Sequence, residues 1–142
     1  MFINIDLQTT SEKNMTIQEI KFIDNTKIKK TIDNYNSITV SSDKIIKSWK
    51  ESLFSYEWLL PDGRIKSIEE LSNPDQLKRK EIEKQIINNK SIEKPVLGIG
   101  ILDNIEIGIG KEILLTLAAN NIKNIQVHTP NTYSHEFDKF LS

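Results

Sequence analysis

The chain has 142 residues, of which 37% are hydrophobic and 27% are charged, and its formal net charge at pH 7 is -1. This composition is typical of one globular domain rather than of a disordered segment. The near-neutral charge disfavours a strongly cationic nucleic-acid binder, although it is compatible with a local basic patch. The sequence contains no cysteine, which excludes disulfides, thiolate zinc sites and cysteine nucleophiles.

No stretch approaches the roughly 20 apolar residues that a membrane-spanning helix needs. The N-terminal sequence MFINIDLQTTSEKN has neither a basic segment nor a long apolar run, so it does not resemble a signal peptide. We therefore expect a cytoplasmic protein that forms a single domain over residues 1–142.

The N-terminal third has the pattern of a β-rich extension, which we place at residues 1–43. Residues 2–7 alternate as FINIDL and predict a half-buried strand. Residues 16–23 fit either a second strand or a short helix, because their isoleucines suit both periods. The polar stretch 24–36 predicts a loop, and residues 37–40 predict another short strand.

A helix is predicted at residues 44–60. Ser42 or Asp43 can cap it, and the Pro-Asp-Gly sequence at 61–63 supplies turn chemistry at its end. Its apolar residues recur with a period of about 3.6 and form one stripe. The stripe consists of Ile45, Ile46, Trp49, Leu53, Tyr56 and Leu60. The helix is therefore expected to be amphipathic, with this face towards the core.

A second helix is predicted after a short connector at residues 65–71. Asn73 can cap this helix, Pro74 suits its first helical position, and Asp75 favours the positive end of the helix dipole. The helix body, residues 76–89, carries a narrow apolar stripe on a charged rod. The run LKRKEIEKQ suits either a nucleic-acid face or a solvated face with interspersed charges, and the second interpretation is the simpler one.

The C-terminal half begins with two predicted strands joined by a tight turn. Pro95 introduces the apolar run VLGIGI, and IEIGIG returns as the second strand. Asp103-Asn104 is a favourable two-residue turn between them, because both residues tolerate positive φ.

A helix and a last strand follow this hairpin. Gly110 marks the entry into the helix KEILLTLAANN, and Asn121 suits its left-handed C-cap. Residues 125–128 predict the last strand. The tail predicts one more short helix, whose inward side chains are Phe137, Phe140 and Leu141.

The turn before this helix contains the candidate residues for binding a nucleotide or another anion: Gly108, Gly110, Lys111 and Glu112. A phosphate-binding P-loop would need glycine at position 105 and serine or threonine at position 112, which are Ile and Glu here. In a weaker form of the hypothesis, free N–H groups at the helix N-terminus attract an anion, Lys111 adds positive charge and Glu112 subtracts it. Alternatively, both glycines only permit close packing at a strand-to-helix turn.

Two further pairs of residues are candidates outside this turn. Glu69 and Glu70 are supporting candidates for metal binding or proton transfer, although adjacent strand residues face opposite sides. Tyr56 and Trp58 are candidate partner-binding residues, with Trp58 interpreted as exposed and available to a protein partner.

The two histidines do not predict a metal site. His128 and His135 share no predicted helix or strand, so a site using both would need carboxylates from elsewhere in the chain. We therefore predict that the chain binds no metal through its histidines.

Residues 65–128 resemble the ParB/sulfiredoxin-like superfamily in the order of their segments. The segments follow the family's order: IKSIEEL, a helix ending near IINN, IEKPVLGIGI, a turn, IEIGIG, a helix and NNIKNIQVHT. Family members typically show a PI-V strand, a second strand, a Gly-led motif with its helix, and a closing Gly-apolar-x-x-Ile-Pro-Val, a pattern that residues 121–127 fill here. The resemblance implies an α+β fold, a small mixed sheet with flanking helices, whose core lies at residues 61–142.

The Gly-led motif departs from the family pattern. Partition-protein relatives carry Gly-Glu-Arg-Arg at this turn, and sulfiredoxins carry Gly-Cys-His-Arg. This chain has Gly110-Lys111-Glu112-Ile113, so isoleucine, which cannot donate a hydrogen bond, replaces the arginine that grips nucleotide phosphate. Lys111 can restore a charge, but not a bidentate fork.

The resemblance therefore implies a non-catalytic or weakly active binding or regulatory module, associated with DNA or mobile-element biology. One alternative is a divergent nucleotide-binding enzyme (nucleotide hydrolysis, phosphoryl transfer or a nuclease) that uses the Gly110 turn with a nucleotide and Mg²⁺. Another is a small protein–protein interaction or inhibitor protein that uses Tyr56 and Trp58. The sequence favours a role without catalysis and leaves the ligand, partner and oligomeric state open.

Overall fold

The computed structural model describes residues 19–142, which form an α+β fold. Its strands are β1 (Phe22–Ile23), β2 (Tyr35–Ser41), β3 (Ile92–Glu93), β4 (Val96–Ile99), β5 (Ile105–Ile109) and β6 (Asn124–Pro130). Its α-helices are α1 (Ser42–Trp49), α2 (Asn73–Ile87) and α3 (Lys111–Ala119). One mixed sheet has the order β2-β6-β4-β5, and a small parallel sheet pairs β1 with β3. The predicted fold class is confirmed.

The mixed sheet is built around β6. β2 pairs with β6 in antiparallel register, from Tyr35 opposite Pro130 to Ser41 opposite Asn124. On its other side β6 pairs in parallel with β4 at His128. β4 and β5 then form an antiparallel hairpin. Because β6 has a neighbour on both sides, its apolar side chains lie at the centre of the core.

The core fills the space between this sheet and the helices. Full burial of one large apolar side chain contributes about 1.5–3 kcal/mol relative to its exposure. Members of the core include Val40, Ile45, Trp49, Trp58, Leu71, Ile82, Leu97, Ile105, Leu114, Leu117, Ile125, Val127 and Phe137. These residues come from both the N-terminal and the C-terminal parts of the described chain, which therefore share one core.

Helix α1 starts near the predicted position but ends early. Ser41 caps it by accepting a hydrogen bond from the Lys44 N–H at 3.3 Å. The predicted helix at 44–60 is wrong beyond Trp49, where α1 ends. The Ser55 hydroxyl donates to the Lys50 carbonyl at 2.8 Å, and such a local bond competes with the helical ladder.

Residues 50–57 therefore form a loop instead of two more helical turns. Within this loop, only Ser55–Glu57 is a short 3-10 turn. Leu53 and Tyr56, which the predicted stripe placed on the buried face, are both exposed. The amphipathic pattern thus predicts the first half of the segment correctly and the second half incorrectly.

Helix α2 is capped one residue earlier than predicted. The Ser72 hydroxyl accepts a hydrogen bond from the Asp75 N–H at 3.4 Å, so Asn73 is already helical. Pro74 lies in the first turn, where its missing N–H costs no helical hydrogen bond. The helix ends at Ile87 rather than at residue 89.

The β4–β5 turn is wider than the predicted two-residue turn. The Gly100 N–H donates to the Asn104 carbonyl at 2.7 Å, and the Asp103 N–H donates to the Gly100 carbonyl at 3.0 Å. Asp103 adopts a φ of 61°, whereas Asn104 has no positive φ and is buried. Ile101 and Leu102 consequently occupy the tip of the hairpin.

The C-terminal predictions are confirmed in most details. Asn121 follows α3 with a φ of 65°, the predicted left-handed conformation, and residues 125–128 lie within β6. The tail forms short 3-10 turns at Asn131–Tyr133 and Asp138–Phe140. Phe137 and Phe140 are buried as predicted, whereas Leu141 is 39% exposed, so the prediction that it packs inward is wrong.

The N-terminal predictions can be compared with the structure only in part. The strand predicted at residues 2–7 lies outside the described residues, as does the start of the 16–23 segment. The stretch predicted as a loop contains the 3-10 helix Thr26–Asn34, which begins where Asn25 accepts a hydrogen bond from the Lys27 N–H at 3.0 Å. The strand predicted at 37–40 is confirmed within β2.

Candidate functional site

The Gly110 turn is closely packed. Gly110 precedes α3 with a φ of 84°, a left-handed conformation that glycine adopts without strain. A Cβ atom at this position would lie 3.2 Å from the Pro95 Cα and 3.6 Å from the Ile113 Cδ1. One side of the turn is therefore filled by neighbouring protein atoms, as the close-packing interpretation expects.

The two charged residues of this turn do not combine into a cationic site. The Lys111 Nζ lies 2.7 Å from the Glu57 Oε1 in a half-buried ion pair, so its charge is already balanced within the protein. Glu112 occupies the first turn of α3 and adds negative charge there. Gly108 lies on β5 with ordinary backbone geometry. The predicted anion-binding residues are thus neighbours, but they do not form a cationic cradle.

The supporting carboxylates belong to a different local structure. Glu69 and Glu70 lie in the 3-10 turn Ile68–Glu70, and the Glu70 Oε1 accepts from the Ser67 N–H at 2.8 Å. This bond to Ser67 lowers the pKa of Glu70. Within residues 19–142, no hydrogen bond or ion pair joins either glutamate to the Gly110 turn.

Trp58 and Tyr56 have opposite environments. Trp58 is completely buried in the core, so the expectation that it is exposed to a partner is wrong. The β-bridge between Leu59 and Ile65 and the hydrogen bond from the Lys66 N–H to the Trp58 carbonyl close a turn around it. Tyr56 is exposed, so it alone of the predicted pair is accessible to a partner.

The loop at residues 50–57 runs beside β5 and the start of α3, where side-chain contacts fix it. The Ser52 hydroxyl donates to the Glu106 Oε1 at 2.6 Å, and Glu57 forms the ion pair with Lys111. Just before the loop, the Ser48 Oγ of α1 accepts a hydrogen bond from the Ile105 N–H at 2.9 Å. The Asn104 side chain also donates to the Glu106 Oε2 at 3.2 Å. Glu106 therefore joins the loop to the base of the β4–β5 turn.

Beyond this bridge, two neighbouring segments expose large apolar side chains. Their exposed fractions are 78% for Leu53, 55% for Phe54, 64% for Tyr56, 102% for Ile101 and 71% for Leu102. We call these five residues the apolar surface. The Ser52 hydroxyl donates to Glu106, and a Cβ atom on Gly100 would lie 2.9 Å from the Glu106 Cγ. Leu53-Phe54 and Ile101-Leu102 therefore both start beside the Glu106 side chain.

Most of the apolar surface was not predicted from the sequence, which pointed only to Tyr56. A signal was present at Ile101-Leu102, because turns normally carry Gly, Asn, Asp, Ser or Pro. Leu53 gave no such signal, since its spacing from Trp49 matches that of a buried helical position. An apolar pair at a hairpin tip is the pattern that could have located the site.

A buried histidine forms a separate polar cluster. The His128 Nε2 accepts a hydrogen bond from the Asn25 N–H at 3.0 Å and lies 3.8 Å from the Asp24 Oδ1. The Asp24 carboxylate pairs with Lys94 at 3.0 Å. Burial lowers the pKa of His128, and the Lys94 charge lowers it further while Asp24 opposes the change. His128 is therefore a neutral acceptor that connects β6 to the residues after β1.

His135 lies elsewhere, fully exposed on the tail, so the two histidines do not converge. Within residues 19–142, no group of three or more His, Asp or Glu side chains is placed to hold a metal ion. No helix in this part of the chain is long and apolar enough to cross a membrane.

A groove of about 460 Å³ lies between α1 and the turn at residues 61–65. Its basic side chains are Lys47, Lys50 and Arg64, and Asp43 and Asp62 line it as well. Arg64 is paired with Asp62 at 2.8 Å. The groove therefore carries a modest excess of positive charge, which comes from the two lysines.

Comparisons with known proteins identify no family and no function for this chain. No protein-family model, curated protein or solved structure matches the chain. The resemblance of residues 65–128 to the ParB/sulfiredoxin-like superfamily stays a prediction.

Proposed function

We propose that this protein is a non-catalytic binding module that recognises a partner protein through the apolar surface. The observation that carries the proposal is the exposure of five large apolar side chains on two segments that Glu106 holds together. Several large apolar side chains exposed on neighbouring segments of a folded domain are typical of interaction sites, whereas single exposed ones are common and need no explanation.

The fixed position of the loop supports specific recognition of a partner rather than nonspecific hydrophobic association. The contact to Ser48 fixes the end of α1 just before the loop, and the contacts to Ser52 and Glu57 hold the loop near its start and at its end. A preorganised surface loses less conformational entropy when it binds, so more of the apolar contact energy appears as affinity. Aromatic residues such as Phe54 and Tyr56 frequently dominate such interfaces.

The Gly110 turn gives less support to the nucleotide-binding alternative. A phosphate there would have to compete with Glu57 for the Lys111 ammonium and would meet Glu112 in the same turn. The side of Gly110 that lacks a Cβ faces Pro95, so it offers no open cradle in that direction. These contacts favour a structural role for the turn.

Selection of binding peptides tests the proposal directly. A random peptide library is displayed and selected on the wild-type protein. The selected peptides are then measured on the Phe54→Ser/Leu102→Ser variant and on a control variant, Leu77→Ser/Ile87→Ser, which removes exposed apolar residues of α2 instead. All four positions are exposed, so each single change should alter stability by no more than about 0.5 kcal/mol.

We expect most selected peptides to bind the first variant at least roughly tenfold more weakly, a loss of about 1.4 kcal/mol. The same peptides should bind the α2 control with unchanged affinity. Peptides that bind all three proteins equally, or a selection that yields no binder, would contradict the proposal.

Association with DNA is a second candidate, predicted by the family resemblance. The observation that favours it is the excess of lysine in the groove beside α1. A gel-shift titration with duplex DNA should show retardation that weakens with salt and disappears in Lys47→Glu/Lys50→Glu. Lack of retardation at low salt would remove this candidate.

A further inference from the structure

The apolar surface is bordered by negative charge. Residues 50–57 and 100–108, the two segments that carry it, contain four carboxylates and one basic residue, Lys50, whose side chain lines the groove beside Gly63. The carboxylates belong to Glu51, Glu57, Asp103 and Glu106. This composition differs from that of the whole chain, in which acidic and basic residues are nearly balanced at 20 and 19.

Only part of this charge is neutralised inside the protein. Lys111 balances Glu57 at 2.7 Å, and Lys139 approaches Asp103 at 3.9 Å, where both side chains are well exposed and the attraction is weak. The Glu106 carboxylate, at the centre of the site, receives hydrogen bonds from neutral donors only, Ser52 and Asn104. Glu51 has no cationic partner within residues 19–142. The rim therefore remains net negative.

We infer that the partner segment is a cationic amphipathic helix, whose apolar side chains cover the apolar surface and whose Lys or Arg side chains face Glu51, Asp103 and Glu106. This inference rests on the proposed function and adds the chemistry of the partner. A neighbouring apolar partner excludes water and strengthens the attraction between its cations and the rim.

The hydrogen bonding of β5 favours a helix over an added strand. A partner strand would need free N–H and C=O groups along the outer side of β5. The Ile105 N–H already donates to Ser48, and the loop at 50–57 is bonded beside β5 through Ser52. Leu53-Phe54 and Ile101-Leu102 instead offer a patch of side chains, the kind of surface that receives the apolar face of a helix.

Charge also argues against the other occupants of an apolar surface. In a two-fold dimer the surface would face its own copy, and the carboxylates of the two rims would oppose each other. Anionic lipid headgroups and nucleic-acid phosphates would be repelled by the same rim. A basic segment of another protein is the partner that satisfies both the apolar and the charged features.

Fluorescence anisotropy with two labelled model peptides tests the inference. Both are about 18 residues long, roughly five helical turns, with leucine at helical spacing. One carries lysine at its polar positions and the other carries glutamate. Binding is measured on the wild type, on Phe54→Ser/Leu102→Ser and on Glu51→Gln/Asp103→Asn. The control variants are Leu77→Ser/Ile87→Ser for apolar exposure and Glu81→Gln/Glu136→Gln for exposed charge.

The expected result is that the lysine peptide binds the wild type at least roughly tenfold more tightly than the glutamate peptide. The Phe54→Ser/Leu102→Ser change should abolish most of that binding. The Glu51→Gln/Asp103→Asn change should weaken it about three- to tenfold and reduce its dependence on salt. Both control variants should behave like the wild type.

Three outcomes would overturn the inference, and they can be told apart. Equal binding of both peptides that still requires Phe54 and Leu102 would reject the cationic partner and leave the proposed function standing. The lysine peptide could instead bind Phe54→Ser/Leu102→Ser as tightly as the wild type, and bind Glu81→Gln/Glu136→Gln as weakly as Glu51→Gln/Asp103→Asn. That result would indicate general charge attraction and would reject both the inference and the proposed function. Light scattering that shows a dimer dissociated by Phe54→Ser/Leu102→Ser would identify a second copy as the occupant.

Discussion

The two ends of strand β5 use their side chains in opposite ways. At the Gly110 end, glycine, lysine and glutamate look like binding chemistry, yet their contacts lie inside the protein: Gly110 packs on Pro95, and Lys111 pairs with Glu57. At the other end, Ile101 and Leu102 look like core residues, yet they lie in solvent. Residue type alone therefore misidentifies which end can bind another molecule.

A side chain is available to a ligand or partner only to the extent that contacts within the protein leave it free. A lysine held by a carboxylate contributes little to attracting an anion, because the two charges cancel over the distance of a ligand. Two exposed aliphatic side chains keep their full hydrophobic contribution for a partner. Four tests examine how buried and exposed side chains differ in this protein.

The strongest test compares Trp58 with Tyr56, two aromatic residues that lie two positions apart in the chain. Trp58→Ala should lower the free energy of unfolding by about 3–5 kcal/mol, because a completely buried indole leaves a cavity. Tyr56→Ala should change it by no more than about 0.5 kcal/mol, since Tyr56 is exposed. Urea unfolding monitored by circular dichroism measures both. A similar cost for the two variants would mean that Tyr56 belongs to the core and not to the apolar surface.

The next test compares Gly110 with Gly108. Gly110→Ala should destabilise the protein by roughly 1–3 kcal/mol, since it places alanine at a positive φ and its methyl group against Pro95. Gly108→Ala should be nearly neutral, because its backbone is ordinary and its Cβ would meet only the Val96 carbonyl, at 3.5 Å. Thermal unfolding of the two variants gives the comparison. If Gly110→Ala is neutral and instead abolishes binding of a nucleotide, the turn is a ligand site after all.

The third test concerns the neutral His128 and the pH dependence of stability. Because the pKa of His128 is lowered in the folded state, the unfolded state binds more protons between that pKa and about 6.5, the usual value for histidine. Stability from this group is therefore complete above pH 6.5 and declines as the pH falls through that window. The slope is at most about 1.4 kcal/mol per pH unit.

The variant His128→Gln isolates this contribution, because glutamine offers an acceptor to the Asn25 N–H but does not titrate. Subtracting the two urea-unfolding series between pH 5 and 7 should leave the slope of one group. Parallel curves would show that the pKa of His128 is the same in the folded and unfolded states. The exposed His135, in a variant His135→Gln, serves as the control.

The smallest effect is expected for the Lys111–Glu57 pair. Lys111→Gln should cost about 0.2–1 kcal/mol of stability, the usual value for a partly exposed ion pair. A panel of nucleotides with Mg²⁺ should leave the melting temperature of both the wild type and this variant unchanged. A ligand at 100 times its dissociation constant would add about 2.7 kcal/mol, so a wild-type shift of that size, lost in Lys111→Gln, would restore the nucleotide-binding alternative.

Sequence reasoning identified the C-terminal fold better than the candidate site. Gly110, Asn121 and the strand at 125–128 were placed correctly because each depends on local backbone chemistry or on short-range alternation. The apolar spacing predicts a helix at residues 50–57, where the structure has a loop. Such spacing indicates a helical period, but it does not show whether the side chains are buried by other parts of the protein. Leu53 and Tyr56 continue the spacing of Ile45 and Trp49, but the helix ends at Trp49 and both side chains are exposed.

Amino-acid order alone was enough for the α+β class, the entry into α3 at Gly110, the left-handed Asn121 and the loss of the arginine from the Gly-led motif, since these follow from residue type and local order. Packing between distant segments made Trp58 part of the core, paired Glu57 with Lys111, and placed residues 52 and 100 beside Glu106. These contacts join residues distant along the chain, and their geometry depends on how the loop packs beside β5. The apolar surface forms because the two segments, neither of which suggests a binding site by itself, lie beside the same Glu106 side chain.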